Sequence, residues 1–119
     1  MDKLLPVVIL LTGLAACGKG KPPETSSPPA PMVNETGERT FKQVCFACHG
    51  TGAAGAPKVG SADQWGPRIQ QGSDTLYQHA LNGFTGSHGT MPPRGGRPNL
   101  SDLEVKSAVD YMVSQVPRG

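Results

Sequence analysis

The run Cys45-Phe46-Ala47-Cys48-His49 constrains this chain more than any other feature. Its spacing, C-x-x-C-H, is the attachment motif of c-type haem. Two thiols so spaced can add across the two vinyl groups of one haem and form thioethers. The imidazole of the next residue then serves as the proximal iron ligand. Other uses of paired cysteines fit less well. A thiol redox pair of the thioredoxin kind needs a βαβ frame, and no such pattern is present. A structural zinc needs four ligands in closed geometry, and no fourth follows these crowded three. A covalent cofactor suits a protein working outside the cytoplasm, because it cannot be lost.

A cofactor of that size also answers a deficit. The chain has 119 residues, 36% of them hydrophobic and 5% aromatic, with 16 Gly and 12 Pro. A core this thin needs an addition to hold a small domain, and a buried haem supplies apolar mass. The formal charge of +2 is too small to point to nucleic acid. Besides Cys45 and Cys48 there is one more cysteine, Cys17, so a disulfide scaffold is not expected.

Composition divides the chain into three segments. Residues 1–17 read as an export signal: a charged start, an apolar stretch too short to span a bilayer, and Leu14-Ala15-Ala16-Cys17, which looks like a bacterial lipoprotein cleavage box. Cys17 is then the acylated first residue of the mature chain, and the lipid holds the protein to a membrane. Residues 18–34 read as a linker. Five of these 17 are proline, and an extended chain of that length reaches roughly 50 Å. Residues 35–119 are the expected haem domain.

The domain reads as all-α, about four helices wrapped round one covalent haem. The first runs from Glu35 to about Cys45, with Phe41, Val44 and Cys45 on one side. Ser61-Ala62-Asp63-Gln64 has capping-box spacing ahead of Trp65, and Pro67 is expected to interrupt that helix. Ser73 is expected to cap a helix through Leu76, Tyr77, Ala80 and Leu81, stopped by a left-handed residue at Asn82-Gly83. Ser101-Asp102-Leu103-Glu104 is a second capping box. It opens a helix with Val105, Ala108, Val109, Met112 and Val116 on one face, closed by Pro117. No alternating strand pattern of any length is visible.

Four residues are candidates for the sixth iron ligand: Met91, His88, His79 and Met112. Met91 is favoured because Pro92-Pro93 stiffen its loop, and a rigid loop can hold a weak thioether against iron. Met112 lies on the apolar stripe of the last helix and reads as core. His79 reads as a surface residue, and His88 lies in a Gly/Ser-rich loop. With both axial positions filled, the iron has no open site for oxygen or peroxide chemistry, which argues for a carrier rather than a sensor or an enzyme.

Several runs together resemble the cytochrome c5 family of class I monohaem cytochromes. They are Val44-Cys45-Phe46-Ala47-Cys48-His49-Gly50-Thr51-Gly52-Ala53-Ala54-Gly55-Ala56-Pro57-Lys58-Val59-Gly60, then Ala80-Leu81-Asn82-Gly83-Phe84, then Met91-Pro92-Pro93-Arg94-Gly95-Gly96. Leu100-Ser101-Asp102 and Ala108-Val109-Asp110-Tyr111-Met112 continue it, so the likeness covers residues 36–116. The resemblance implies His49 and Met91 as axial ligands. It implies that the Pro57 carbonyl accepts from the second nitrogen of His49, and that Trp65 and Arg68 lie near a haem propionate. Family members often carry a further cysteine pair, one member just after the Gly-Gly of the methionine loop. The stretch Gly95-Gly96-Arg97-Pro98-Asn99-Leu100 has none, so the haem and the packing of the last helix are expected to hold that loop alone.

The expected function is outer-sphere transfer of single electrons between respiratory partners, an oxidase or a reductase, by a monomer or weak dimer. Lys58, Arg94 and Arg97 flank the expected haem-edge loops and could steer an acidic partner. The expected location is the periplasmic side of a bacterial membrane. Gly18, rather than Asp, after Cys17 favours the outer membrane.

Overall fold

The computed structural model describes residues 34–119. The expected signal with Cys17 and all but the last residue of the expected linker lie outside the described residues. That last residue, Asn34, is part of the domain. Its side chain accepts from the Gly37 N–H at 2.9 Å, capping the first helix, and its Nδ2 donates to the Ser107 carbonyl at 2.8 Å.

Helix α1 (Glu35–Thr40) runs through a π-helical turn (Phe41–Cys45) into α2 (Phe46–His49). These three pieces form one continuous rod. The π turn holds an additional residue, which rotates the remainder of the rod by ~100° relative to an uninterrupted α-helix. The face that packs in α1 is therefore not the face that carries Cys45, Cys48 and His49. Phe41, at the turn, is buried edge-on to Phe46 and against Tyr111, with ring centroids 5.9 and 5.2 Å apart.

Helix α3 (Ala62–Ile69) begins at Ser61, whose side chain accepts from the Gln64 N–H. The reciprocal half of the expected capping box is absent, because Gln64 Oε1 accepts from the Lys58 N–H at 2.7 Å instead. Pro67 does not interrupt this helix. It lies inside, two residues before the end, so the one donor it lacks removes a single bond near the terminus. Helix α4 (Ser73–Asn82) is entered through Gly72 at φ 90, not capped by the Ser73 side chain. It stops at Gly83, whose φ of 83 is positive as expected. Its ψ of 161 is extended rather than left-handed helical, so the chain passes straight into a strand.

That strand was not legible in sequence. β1 (Phe84–Gly86) and β2 (Gly89–Met91) form an antiparallel hairpin with Phe84 opposite Met91. Three-residue strands are too short to show an alternating pattern. A 3₁₀ turn (Pro93–Gly96) leads towards α5 (Asp102–Ser114), which opens with the complete Ser101/Glu104 capping box. Its buried residues include Val105, Ala108, Val109 and Met112 of the expected stripe; the helix ends at Ser114, before the expected stop at Pro117, so Val116 lies beyond it and packs half-buried. The core gathers Phe41, Trp65, Leu76, Ala80, Leu81, Val105, Val109 and Met112. Tyr77 Oη donates to Asp110 Oδ1 at 2.5 Å and fastens α4 to α5 at the surface. The fold is the small all-α cytochrome c type that the sequence led us to expect.

Candidate functional site

One cavity of about 370 Å³ lies between α2, α3, α4, the hairpin and α5. Cys45, Cys48, His49, Pro57, Trp65, Arg68 and Met91 all line it. These are the seven positions read from the sequence for this site, drawn from four separate stretches of chain. The deeper walls are apolar, with Leu76, Ala80, Val109 and Met112.

The two cysteines are not equivalent. Cys48 is exposed and Cys45 is half-buried, and burial pushes the Cys45 thiol up to about 11. His49 is buried, and its Nδ1 donates to the Pro57 carbonyl at 2.9 Å. That bond puts the proton on Nδ1 and leaves the Nε2 lone pair available to a metal. Burial holds the His49 pKa below its ordinary value. The Pro57 carbonyl opposes this shift, and the Arg68 cation adds to it. His49 is therefore a neutral imidazole fixed in tautomer and orientation. The sequence alone pointed to Pro57 only through the family resemblance. The geometry reaches it by folding the chain back in the 53–59 loop, where the Val59 N–H also donates to the His49 carbonyl at 2.7 Å.

Trp65 is 4% exposed, with its ring centroid 6.1 Å from that of His49. Its Nε1 donates to the Lys58 carbonyl at 2.9 Å, so the indole is a wall and its only donor is already engaged. Arg68 is half-buried, and one of its nitrogens donates to the Gln64 carbonyl, which leaves other guanidinium donors for the cavity it lines.

The other three candidates for the sixth ligand line the same cavity. Met112 is 3% exposed on the core face of α5. The His79 ring is stacked on Phe84, centroids 3.9 Å apart. His88 is exposed at the hairpin tip. Met91 is half-buried where β2 ends, backed by Pro92 and Pro93.

Two contacts were missed in the sequence. The Gly55 and Gly89 backbones pass close to those of His88 and Ala54, so the 53–55 turn closes against the hairpin tip at the cavity rim. A β-carbon on Gly55 would stand 1.6 Å from the His88 oxygen. The second is Arg94, whose guanidinium donates to the Leu100 carbonyl at 2.8 Å and to Asp102 Oδ1 at 2.6 Å. The methionine loop is thus held by a side chain as well as by packing, and Arg94 is engaged rather than set out to steer a partner. Two prolines and two glycines around Arg94 signalled a turn but gave no hint of its partners.

The donor set fits a covalent haem: two thiols, an oriented imidazole and a thioether on one apolar cavity. The comparisons with known proteins agree. The family model for cytochrome c oxidase, cbb3-type, subunit III matches residues 33–112. Cytochrome c-555 of Chlorobaculum tepidum is 47% identical over 79 residues, 66% of this chain and 73% of that protein. Cytochrome c5 of Azotobacter vinelandii is 38% identical over 79 residues, 65% of this chain and 90% of that one. A chain of the crystallised electron transfer complex of nitrite reductase with cytochrome c superposes with a TM-score of 0.61. It is 36% identical, and the match covers 69% of this chain and 95% of that chain. This chain belongs to the class I monohaem c-type cytochromes, and it is a small electron carrier, not an enzyme, with one haem c held covalently through Cys45 and Cys48.

Proposed function

We propose that this cytochrome works as a lipid-anchored carrier on the periplasmic side of a bacterial membrane, with His49 and Met91 as axial ligands and a respiratory oxidase or reductase as partner. The observation that carries the ligand reading is the convergence of Cys45, Cys48, His49 and Met91 on one apolar cavity, with His49 oriented by Pro57.

When bound, haem c supplies a one-electron Fe(II)/Fe(III) couple. The residues do the rest. Cys45 at the end of the π turn and Cys48 in α2 would fix the cofactor to the rod. His49 presents Nε2 with its other nitrogen held by Pro57. Met91 presents a thioether from the end of β2, where Phe84 pairs with it and two prolines follow. Leu76, Ala80, Val109 and Met112 keep water from the interior, which limits solvent reorganisation on electron transfer. The Arg68 guanidinium offsets the charge of a propionate.

The partner reading draws support from the oxidase-subunit description of the family and from the nitrite reductase complex among the similar structures. The anchor reading rests on Leu14-Ala15-Ala16-Cys17, and the outer membrane is favoured by Gly18.

Two experiments test these readings. In the oxidised wild-type protein we expect the weak sulfur-to-iron band at the red end of the visible spectrum, and in Met91→Ala its complete loss. A band that survives the substitution removes Met91 from the iron and turns attention to His88. For the anchor, the Cys17→Ser protein should move from the membrane fraction to the soluble fraction after export. Retention on the membrane would refute lipidation at Cys17.

A further inference from the structure

The loop after Met91 is fastened from outside itself. Arg94 stands three residues beyond Met91 with φ 53 and ψ 30, a left-handed conformation that L side chains rarely adopt. Such a conformation persists where surrounding contacts over-determine it. Here the contacts are the two guanidinium bonds to the start of α5, to the Leu100 carbonyl and to Asp102. Arg94 is 26% exposed and Asp102 64% exposed, so the pair contributes little to global stability through charge alone. A planar fork gripping two acceptors fixes geometry better than a point charge would.

The two ends of this clamp differ. Leu100 and Asp102 flank the N-cap Ser101, whose capping box fixes that end of α5. On the other side, the Gly95 N–H donates to the Pro92 carbonyl at 3.1 Å and the Arg97 N–H to the Arg94 carbonyl at 3.1 Å. A shift of Arg94 is therefore passed through this tight turn to Pro92, the residue bonded to Met91.

We propose that Arg94 is a positioning residue for Met91: its fork ties the methionine loop to α5 and keeps the sixth iron position closed to external ligands. This rests on the reading of Met91 as ligand. For an external ligand to bind, the loop must open locally, and the two Arg94 bonds oppose that opening. Removing them raises the open population, and the apparent affinity of an external ligand rises in proportion.

The experiment titrates the oxidised holoprotein with imidazole and follows loss of the sulfur-to-iron band. Arg94→Gln should bind imidazole about tenfold more tightly than wild type, the scale of one charge-assisted hydrogen bond. Asp102→Asn, which keeps an oxygen acceptor but loses the charge, should shift in the same direction by less. Asn34→Ala serves as the control: it removes the α1 N-cap and one bond to Ser107 in mid-α5, introduces no clash that would move the rod, and should bind imidazole as wild type does. If Asn34→Ala tightens imidazole binding as much as Arg94→Gln, lost stability is the cause and the proposal is overturned. Wild-type affinity in both Arg94→Gln and Asp102→Asn also overturns it. Should Arg94→Gln fail to fold, Asp102→Asn decides alone, and wild-type affinity there is again fatal. A wild-type protein without the band defeats the ligand reading first and takes this proposal with it.

Discussion

Trp65→Ala should cost the holoprotein about 3–5 kcal/mol of unfolding free energy, the range for removing a buried aromatic side chain. A small domain has only about 5–15 kcal/mol in total, so this change should bring it near the edge of folding. The indole is 4% exposed, belongs to the main core cluster and stands beside His49. The loss is mainly one of volume. The Lys58 carbonyl that accepts from Nε1 also accepts from the Ser61 N–H at 3.1 Å, so truncation leaves no orphaned acceptor. Trp65→Phe separates the two contributions. It keeps most of the apolar bulk and loses the hydrogen bond, and should cost about 1 kcal/mol for the bond plus a smaller packing term. Denaturant titration of the three proteins checks both values. Equal losses for Ala and Phe would make the hydrogen bond, not the wall, the important contribution.

What could be read from the sequence depended on the range of the interaction. Cys45, Cys48 and His49 lie within five residues, so their chemistry is a local pattern. The stripe of α5 repeats at helical spacing, and its capping box lies within four residues, so the box and the stripe from Val105 to Met112 appear where they were expected. Met91 was singled out by the prolines beside it, and it does line the cavity. The misreadings have other causes. The π turn at Phe41–Cys45 has no compositional mark, yet it sets which face of the rod meets the cavity. Pro67 was read by a rule for helix interiors, but it falls near the end of α3, where one missing donor is tolerated. Asn34 looked like the tail of a proline-rich linker because its partner, Ser107, is 73 residues away. Arg94 was read as a cation free to steer a partner, because nothing in the local pattern marks Leu100 and Asp102, six and eight residues on, as its acceptors.

Gly37→Ala provides the sharpest contest between local preference and tertiary contact. In an isolated helix, alanine is better than glycine by about 1 kcal/mol, so the substitution ought to stabilise α1. Gly37 has no positive φ, so an alanine there meets no backbone strain. The obstacle is α5. A β-carbon at position 37 would stand 2.0 Å from the Ser107 carbonyl oxygen and 2.6 Å from its carbon. It would also meet Asn34 Nδ2 at 2.7 Å, the atom that donates to that same carbonyl. The two nearest atoms, both of Ser107, are backbone and cannot swing aside as a side chain could. Relief requires the two helices to move apart, which breaks the Asn34–Ser107 bond and loosens Phe41, the next buried aromatic along the rod. Overpacking of this kind costs about 1–3 kcal/mol or more, and the lost bond adds about 1 kcal/mol. The clash therefore outweighs propensity, and we expect net destabilisation of about 2–3 kcal/mol by denaturant unfolding of the holoprotein. The effect should reach the site as well, because α1 continues through the π turn into Cys45, Cys48 and His49. On the proposed His49/Met91 ligation, a shifted rod moves His49 relative to Met91, so the sulfur-to-iron band should weaken or shift while the covalent haem is retained. An unchanged midpoint with an unchanged band would mean that the α1–α5 crossing has slack, and that the close approach at Gly37 does not hold the haem-bearing helix in place.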